Sequence, residues 1–132
     1  MMTSINPTME IRADRLDPLT TITLDEGPQR LTPLAFEEVI LPQLITGLTA
    51  NPRPISSITF VYQPAWASHG LMATDILQIK IAHRQIRDFI REWWGKENAR
   101  QVRIIYGGQC RQEWTADLIA DQNIDGILGR RD

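Results

Sequence analysis

Three kinds of reactive side chain follow the predicted strands of this chain, and together they could perform acid–base or nucleophilic chemistry. Asp25 and Glu26 follow the first strand, His69 follows the second, and the single cysteine, Cys110, follows the third. A histidine beside a thiol and a carboxylate can transfer protons or activate the thiol. Each residue also has a simpler interpretation, as a packed thiol, a solvated histidine or an Asp-Glu-Gly turn. The sequence leaves both interpretations open.

The elements that would position these residues alternate between strand and helix. This order predicts an α/β fold built from right-handed parallel βαβ units. The predicted strands are residues 20–24, 58–62, 102–106 and 126–128. A helix that begins at Thr32-Pro33 and runs towards Leu48 should be kinked or divided by Pro42, which lacks an amide hydrogen. Residues 1–14 read as a polar tail, and residues 15–132 as one domain.

The longest predicted helix has Thr74 as its cap and ends at Gly95. Its apolar residues recur at helical spacing, which predicts a face directed at the core. That face comprises Ile76, Ile79, Ile81 or Ala82, Ile86, Phe89, Ile90 and Trp93. A shorter third helix is predicted over residues 113–120.

Three segments in these elements resemble the triosephosphate isomerase family. Residues 60–67, FVYQPAWA, resemble the family segment AYEPVWA; residues 104–109, IIYGGQ, resemble IIYGGS; residues 123–129, NIDGILG, are similar to DVDGFLVGG. The blocks occur in the family's order and near its spacing, and the resemblance covers residues 16–132. No residue matches the family's first half. The resemblance therefore implies half of a (β/α)8 TIM barrel, with about four parallel strands, three helices and no final helix, because a complete barrel needs about 250 residues.

The resemblance also places the family's proton-abstracting carboxylate at Gln63. An amide has no accessible protonation near neutral pH and cannot act as a general base. The family's lysine and histidine belong to its first half, and His83, in the middle of the longest helix, does not match that histidine. The implied protein is an isomerase relative that has lost the isomerase reaction.

The lid and the phosphate site that the resemblance implies are altered as well. Residues 67–74 are one residue shorter than the family's lid, Gln109 replaces a serine, and Arg130-Arg131 replaces a pair of glycines. Arginine side chains there would fill the space near a phosphate or bind an anion differently. The candidate catalytic residues are thus Gln63, His69 and Cys110. The candidate ligand-binding residues are Asp25, Glu26, Trp66, Tyr106, Gly107, Gly108, Gln109 and Arg130.

Composition argues against several classes of partner. The formal net charge is -2 and the pI is near 5.7, whereas nucleic-acid binders usually show a basic excess. No apolar run approaches the roughly 18 residues of a membrane span, and the lone cysteine is compatible with a reducing compartment. No spacing of Cys or His predicts a metal site, and no Gly-rich motif predicts a nucleotide. We therefore expect a cytoplasmic protein without a cofactor.

Strands cut from a barrel would leave two open edges and an unfilled inner face. This predicts an assembly, either a homodimer or a complex with a chain that completes the barrel; the alternative is a monomer whose residues 1–14 cover an edge. Two functions also stay open. One is a structural or partner-binding module without catalysis. The other is a repurposed enzyme, with isomerase, lyase or cyclase chemistry performed by new residues at the strand ends.

Overall fold

A single parallel sheet organises the protein. The computed structural model describes residues 10–26, 36–69, 73–108 and 112–129. Within these residues the sheet has five strands in the order β1-β5-β4-β3-β2, and all of their pairings are parallel. The strands are β1 Glu10–Arg12, β2 Thr21–Glu26, β3 Thr59–Pro64, β4 Arg103–Tyr106 and β5 Gly126–Gly129. The predicted α/β class is therefore confirmed.

In the part of the chain that the structure describes, four α-helices connect the later strands. They are α1 Leu41–Ala50, α2 Ala73–Trp94, α3 Lys96–Gln101 and α4 Gln112–Ile119. The prediction of three helices missed α3, because Gly95 ends α2 with a positive φ of 95° and the chain then begins a new helix at once. No helix in the described ranges is long and apolar enough to cross a membrane.

The first strand lies inside the segment that the sequence suggested was a polar tail. Glu10–Arg12 pairs with Ile127–Gly129 of β5, and Ile11 is buried between two exposed neighbours. Three residues are too few to show an alternating pattern, so the strand left no signal in the sequence. The sheet therefore has five strands rather than about four. The predicted absence of a final helix concerns residues after Gly129, which lie outside the described residues.

The first helix changes its geometry one residue before Pro42. A π-helical turn, Phe36–Ile40, leads into α1 at Leu41, and Ile40 has right-handed helical dihedral angles, so the chain stays helical here and the predicted kink stays a prediction. Proline is favoured in the first turn of a helix because the amide hydrogen it lacks would have no partner there. The predicted start at Thr32-Pro33 lies outside the described residues.

One face of the sheet carries the helices and the main apolar core. Phe60, Tyr62, Ile104 and Tyr106 of the central strands are completely buried there, against Ile79, Ile86 and Ile90 of α2. Of the alternatives Ile81 and Ala82, Ala82 is the buried one. Thr74 lies within α2 rather than before it.

Trp93 departs from the predicted core face of α2, because it is 67% exposed. The chain turns at Gly95, and Ala99 of α3 joins the core cluster near this end of α2. A small side chain of the next helix therefore occupies the core, and the indole of Trp93 lies at the surface.

A buried arginine joins α2 to the rest of the sheet. Arg87 donates hydrogen bonds to the carbonyl oxygens of Ala99 at 2.6 Å and Val102 at 3.3 Å, and forms an ion pair with Asp125 at 2.5 Å. The same Asp125 oxygen accepts the backbone N–H of Ile104 at 2.8 Å. One guanidinium thus links α2 to the segments that precede β4 and β5.

The outer edge of β2 is partly covered by a side chain. The backbone N–H of Thr59 donates to the carbonyl oxygen of Thr20. Alternate residues of β2 therefore direct their backbone N–H and C=O groups at β3, whereas those of Asp25 point away from the sheet. The Gln43 side chain accepts from Asp25 N–H at 2.9 Å and donates to Asp25 C=O at 2.6 Å. Its amide thus occupies the place of one residue of a neighbouring strand.

Candidate functional site

Gln63 lies at the carboxyl end of β3, on the face of the sheet opposite the helices. It is half-buried and level with the exposed Asp25 of β2. Gly107 follows β4 on the same side, where a Cβ would lie 2.6 Å from Val61 Cγ1 and 3.0 Å from Gln63 Cγ. Only glycine fits beside Gln63 without displacing it. The structure therefore brings together three of the predicted site residues, Gln63, Asp25 and Gly107.

Glu26 belongs to a different cluster, on the helix-bearing face. It is 2% exposed, and one carboxylate oxygen accepts hydrogen bonds from the Tyr62 hydroxyl and, at 2.8 Å, from Trp66 Nε1. Both Asp25 and Glu26 are strand residues, so the alternative interpretation as a turn is wrong for them. The error arose because β2 continues two residues beyond its apolar run.

The surroundings of Glu26 favour the protonated forms of its own carboxyl group and of the Tyr62 hydroxyl. Burial raises the pKa of the Glu26 carboxyl, and the hydrogen bonds from Tyr62 and Trp66 oppose part of that change. Burial and then the negative charge of Glu26 raise the pKa of Tyr62 well above its usual value. The Tyr62 hydroxyl is consequently a donor at neutral pH. This cluster anchors Trp66, and with it the 3-10 turn Ala65–His69, to the end of β2.

Tyr106 and His83 lie behind the site, within the core. Tyr106 is completely buried, and a Cβ on Gly108 would collide with its hydroxyl oxygen, so Gly108 permits the chain to pass over the ring. His83 of α2 packs edge-on against Tyr62, with ring centroids 5.4 Å apart, and tilted against Tyr106 at 6.3 Å.

His83 is uncharged at neutral pH. Burial, and secondarily the positive charge of Arg87, lower its pKa to about 3. Neither ring nitrogen makes a hydrogen bond of normal geometry with the described residues, although the backbone at Asn123 is close enough to favour the charged ring slightly. Burial has the larger effect on the pKa of His83, because a fully enclosed imidazolium would lose all of its hydration.

The remaining predicted residues are not brought into this cluster by the described structure. Gln109, Cys110 and Arg130 lie outside the described residues. His69 ends the 3-10 turn after β3, and only its backbone is described. The predicted set of histidine, thiol and carboxylate therefore stays a prediction. Among the residues that the structure describes, no group of three His, Cys, Asp or Glu side chains could hold a metal ion.

Sequence reasoning missed two residues with structural roles: Arg87, which holds α2 to the sheet, and Gln43, which contacts Asp25 beside the site. Arg87 lies between Ile86 and Ile90 on α2, and a charged residue beside the core face of an otherwise amphipathic helix could have indicated a buried ion pair. Gln43 gave no such signal, because a polar residue on a surface helix is ordinary.

The fold and the position of the site define a class of protein. Parallel strands joined by helices on one face, with polar residues at the carboxyl ends of the strands, form part of a (β/α)8 barrel. The family model for triosephosphate isomerase matches residues 24–129. The chain therefore belongs to the triosephosphate isomerase family.

Curated relatives agree with this assignment. A triosephosphate isomerase of Thermodesulfovibrio yellowstonii is 37% identical over 92 residues, which are 69% of this chain and 36% of the relative. One of Solibacter usitatus is 39% identical over 85 residues, covering 64% of this chain and 33% of the relative. A probable triosephosphate isomerase 2 of Listeria monocytogenes serotype 4b is 34% identical over 80 residues, which are 61% of this chain and 31% of the relative. The chain spans about a third of the length of these relatives.

Proposed function

We propose that this chain is a triosephosphate isomerase-like half-barrel that has lost the isomerase chemistry and acts as a self-assembling or partner-binding module. The observation that carries the proposal is Gln63, at the carboxyl end of β3 in the segment that resembles AYEPVWA. An amide there can donate and accept hydrogen bonds, but it cannot remove a proton from carbon at neutral pH. The single cysteine supports a cytoplasmic location for the module.

The neighbours of Gln63 support the loss of the reaction. The nearest carboxylate in register is Asp25, which is exposed on the edge strand. Glu26, a buried carboxylate of the neighbouring strand, lies on the other face of the sheet and is occupied by Tyr62 and Trp66. Neither carboxylate has the position that a base at residue 63 would have.

A direct assay tests the chemistry. The purified protein should not interconvert triose phosphates above the rate of a buffer blank. Gln63→Glu should not restore activity, because the resemblance places the family's lysine and histidine in a half that this chain does not match. Turnover by the wild type that Gln63→Ala abolishes would overturn the proposal. Gln101→Ala, at an exposed position on α3, controls for contaminating isomerase.

The ends of the sheet support assembly. Within the described residues β1 and β2 are the outermost strands, and they do not pair with each other. β1 lies at one edge, as the monomer alternative expected of this part of the chain, and pairs with three of the four residues of β5; within the described residues no strand pairs with the outer side of β1. Open edges of parallel sheets tend to pair or to be covered. A homodimer or a complex with a barrel-completing chain would bury them.

Analytical sedimentation measures whether the chain assembles. At micromolar concentration the mass should exceed that of one 15.1 kDa chain, either for the pure protein or for the protein recovered from native extract. Thr23→Pro, on the outer edge of β2, should reduce the larger species, because proline removes an amide from that edge. A single-chain mass in both preparations would contradict the proposal.

A further inference from the structure

A groove lies between the π-helical turn Phe36–Ile40 and helix α2. Its volume is about 290 Å³. On α2 it is lined by Gln85, Asp88, Phe89 and Glu92, whose spacing places them along one side of the helix. Phe36 and Glu37 of the π-helical turn form the opposite wall. The candidate site around Gln63 does not include these residues, and the π-helical turn also packs against β2.

The groove combines aromatic surface with negative charge. Phe36 and Phe89 are half-buried, whereas Glu37, Asp88 and Glu92 are exposed. Asp88 is paired with Arg91 at 2.5 Å, but no ion pair joins Glu37 or Glu92 to another described residue. None of the described residues that line the groove is basic. Two carboxylates are thus available to a cation from outside.

Two exposed tryptophans continue the aromatic surface beyond the groove. The Phe89 ring lies 5.8 Å from the ring of Trp93 and 5.9 Å from that of Trp94, measured between centroids. Trp93 is 67% exposed and Trp94 37%. An exposed indole that packs on a groove is typical of the residues that dominate protein interfaces. Trp93 is therefore available to a partner rather than to the core.

We propose that this groove binds an arginine-bearing segment of a partner protein. A guanidinium is planar, stacks on aromatic rings and donates hydrogen bonds to carboxylates in pairs, so it matches both features of the groove. The two phenylalanines and Trp93 would contact its flat faces and the apolar part of the segment. Glu37 and Glu92 would accept its hydrogen bonds. The α2 wall of this groove belongs to the helix that connects the central strands β3 and β4, so groove variants on α2 and edge variants on β2 can separate partner binding from assembly.

Fluorescence anisotropy with a labelled peptide tests the groove. The probe is a ten-residue glycine-serine peptide with two arginines, and its match carries citrulline, a neutral isostere, at both positions. The arginine peptide should bind saturably, and the citrulline peptide about tenfold more weakly, because the loss of two ion pairs and their hydrogen bonds has roughly this effect. Absence of saturable binding, or equal binding of both peptides, would overturn the proposal.

Matched variants locate the binding. Glu37→Gln with Glu92→Gln should weaken the arginine peptide about tenfold, and Trp93→Ala should weaken it further. The control, Glu38→Gln with Glu113→Gln, changes the net charge equally at exposed positions outside the groove. An equal loss in the control would show nonspecific attraction and refute the site.

Two further measurements exclude other occupants. If free arginine competes as well as the peptide does, the groove accepts a small cation and the assignment to a protein segment is wrong. If the groove variant sediments as a smaller species than the wild type, the occupant is a second copy of this chain, and the assignment to a different protein is likewise wrong.

Discussion

The carboxyl group of Glu26 holds together the cluster that it forms with Tyr62 and Trp66. A buried carboxylate normally destabilises a fold unless its oxygens are well satisfied. Here one oxygen serves two donors, the hydroxyl of Tyr62 and the indole of Trp66. The arrangement holds the chain after β3 in place, yet it leaves the carboxyl easier to protonate than in water.

Replacing this carboxyl by an amide should change the pH dependence of stability. Because the pKa of Glu26 is raised in the folded protein, its favourable contribution is complete below the unfolded value near 4.5 and is lost as the pH rises through the folded pKa. Relative to Glu26→Gln, the wild type should therefore lose free energy of unfolding from about pH 4.5 upwards. Urea denaturation at several pH values measures the difference. Parallel curves for the two proteins would contradict it, and the exposed Glu113→Gln provides the control.

His83 should have the opposite dependence. Its folded pKa of about 3 lies below its unfolded value of 6.5, so its contribution is complete above pH 6.5 and is lost as the pH falls through the folded pKa. As the pH falls from 6.5 towards 3, the free energy of unfolding of the wild type should decrease relative to that of His83→Leu. The leucine keeps an apolar side chain against Tyr62 but cannot ionise. Thermal unfolding from pH 7 to pH 4 measures this, and a constant difference between the two proteins would show that the pKa of His83 is the same in the folded and unfolded states.

At the scale of elements, α2 is held by both apolar and ionic contacts. Ile79, Ile86 and Ile90 pack on the sheet, while Arg87 reaches past them to Asp125 and to the carbonyl oxygens before β4. An ion pair of this kind gives little net stability compared with apolar residues of the same shape. Losing one partner is costly, because the other remains buried and charged.

Asp125→Ala should therefore destabilise the fold by about 3–5 kcal/mol, since Arg87 would keep its charge without a carboxylate. The exposed pair of Arg91 and Asp88 offers the comparison, and Arg91→Ala should cost less than about 1 kcal/mol. Chemical denaturation gives both values. Similar losses for the two variants would mean that burial does not distinguish the pairs.

The sequence predicted those elements whose signals are long or strongly apolar. The run before Gln63 and the run ending at Tyr106 were located to within a residue or two, because both are buried on two sides and carry few polar residues. Glu10–Arg12 was missed, because its pairing with β5 depends on residues more than 110 positions away. The strand position and burial of Glu26 were missed, because the residues that enclose it, Tyr62 and Trp66, belong to another strand and turn.

At the scale of the whole molecule, the sheet is the part of a barrel that this chain supplies. Its central strands are covered by helices on one face, and Val61 and Ile105 are buried on the other. β2 differs from them, since Thr23 and Asp25 on that second face are exposed. The exposed polar residues of the second face are therefore on β2, the edge strand to which a further strand would pair.

Gln43 gives that edge a kinetic property. Its side chain forms both hydrogen bonds that a neighbouring strand would offer to Asp25. A strand that pairs along the full length of β2 must first displace this amide, and the rotation of Gln43 away from Asp25 adds a barrier before the new bonds form. Association at this edge should consequently be slower than a diffusional encounter. The same barrier should also slow the pairing of β2 with an exposed strand of any other protein.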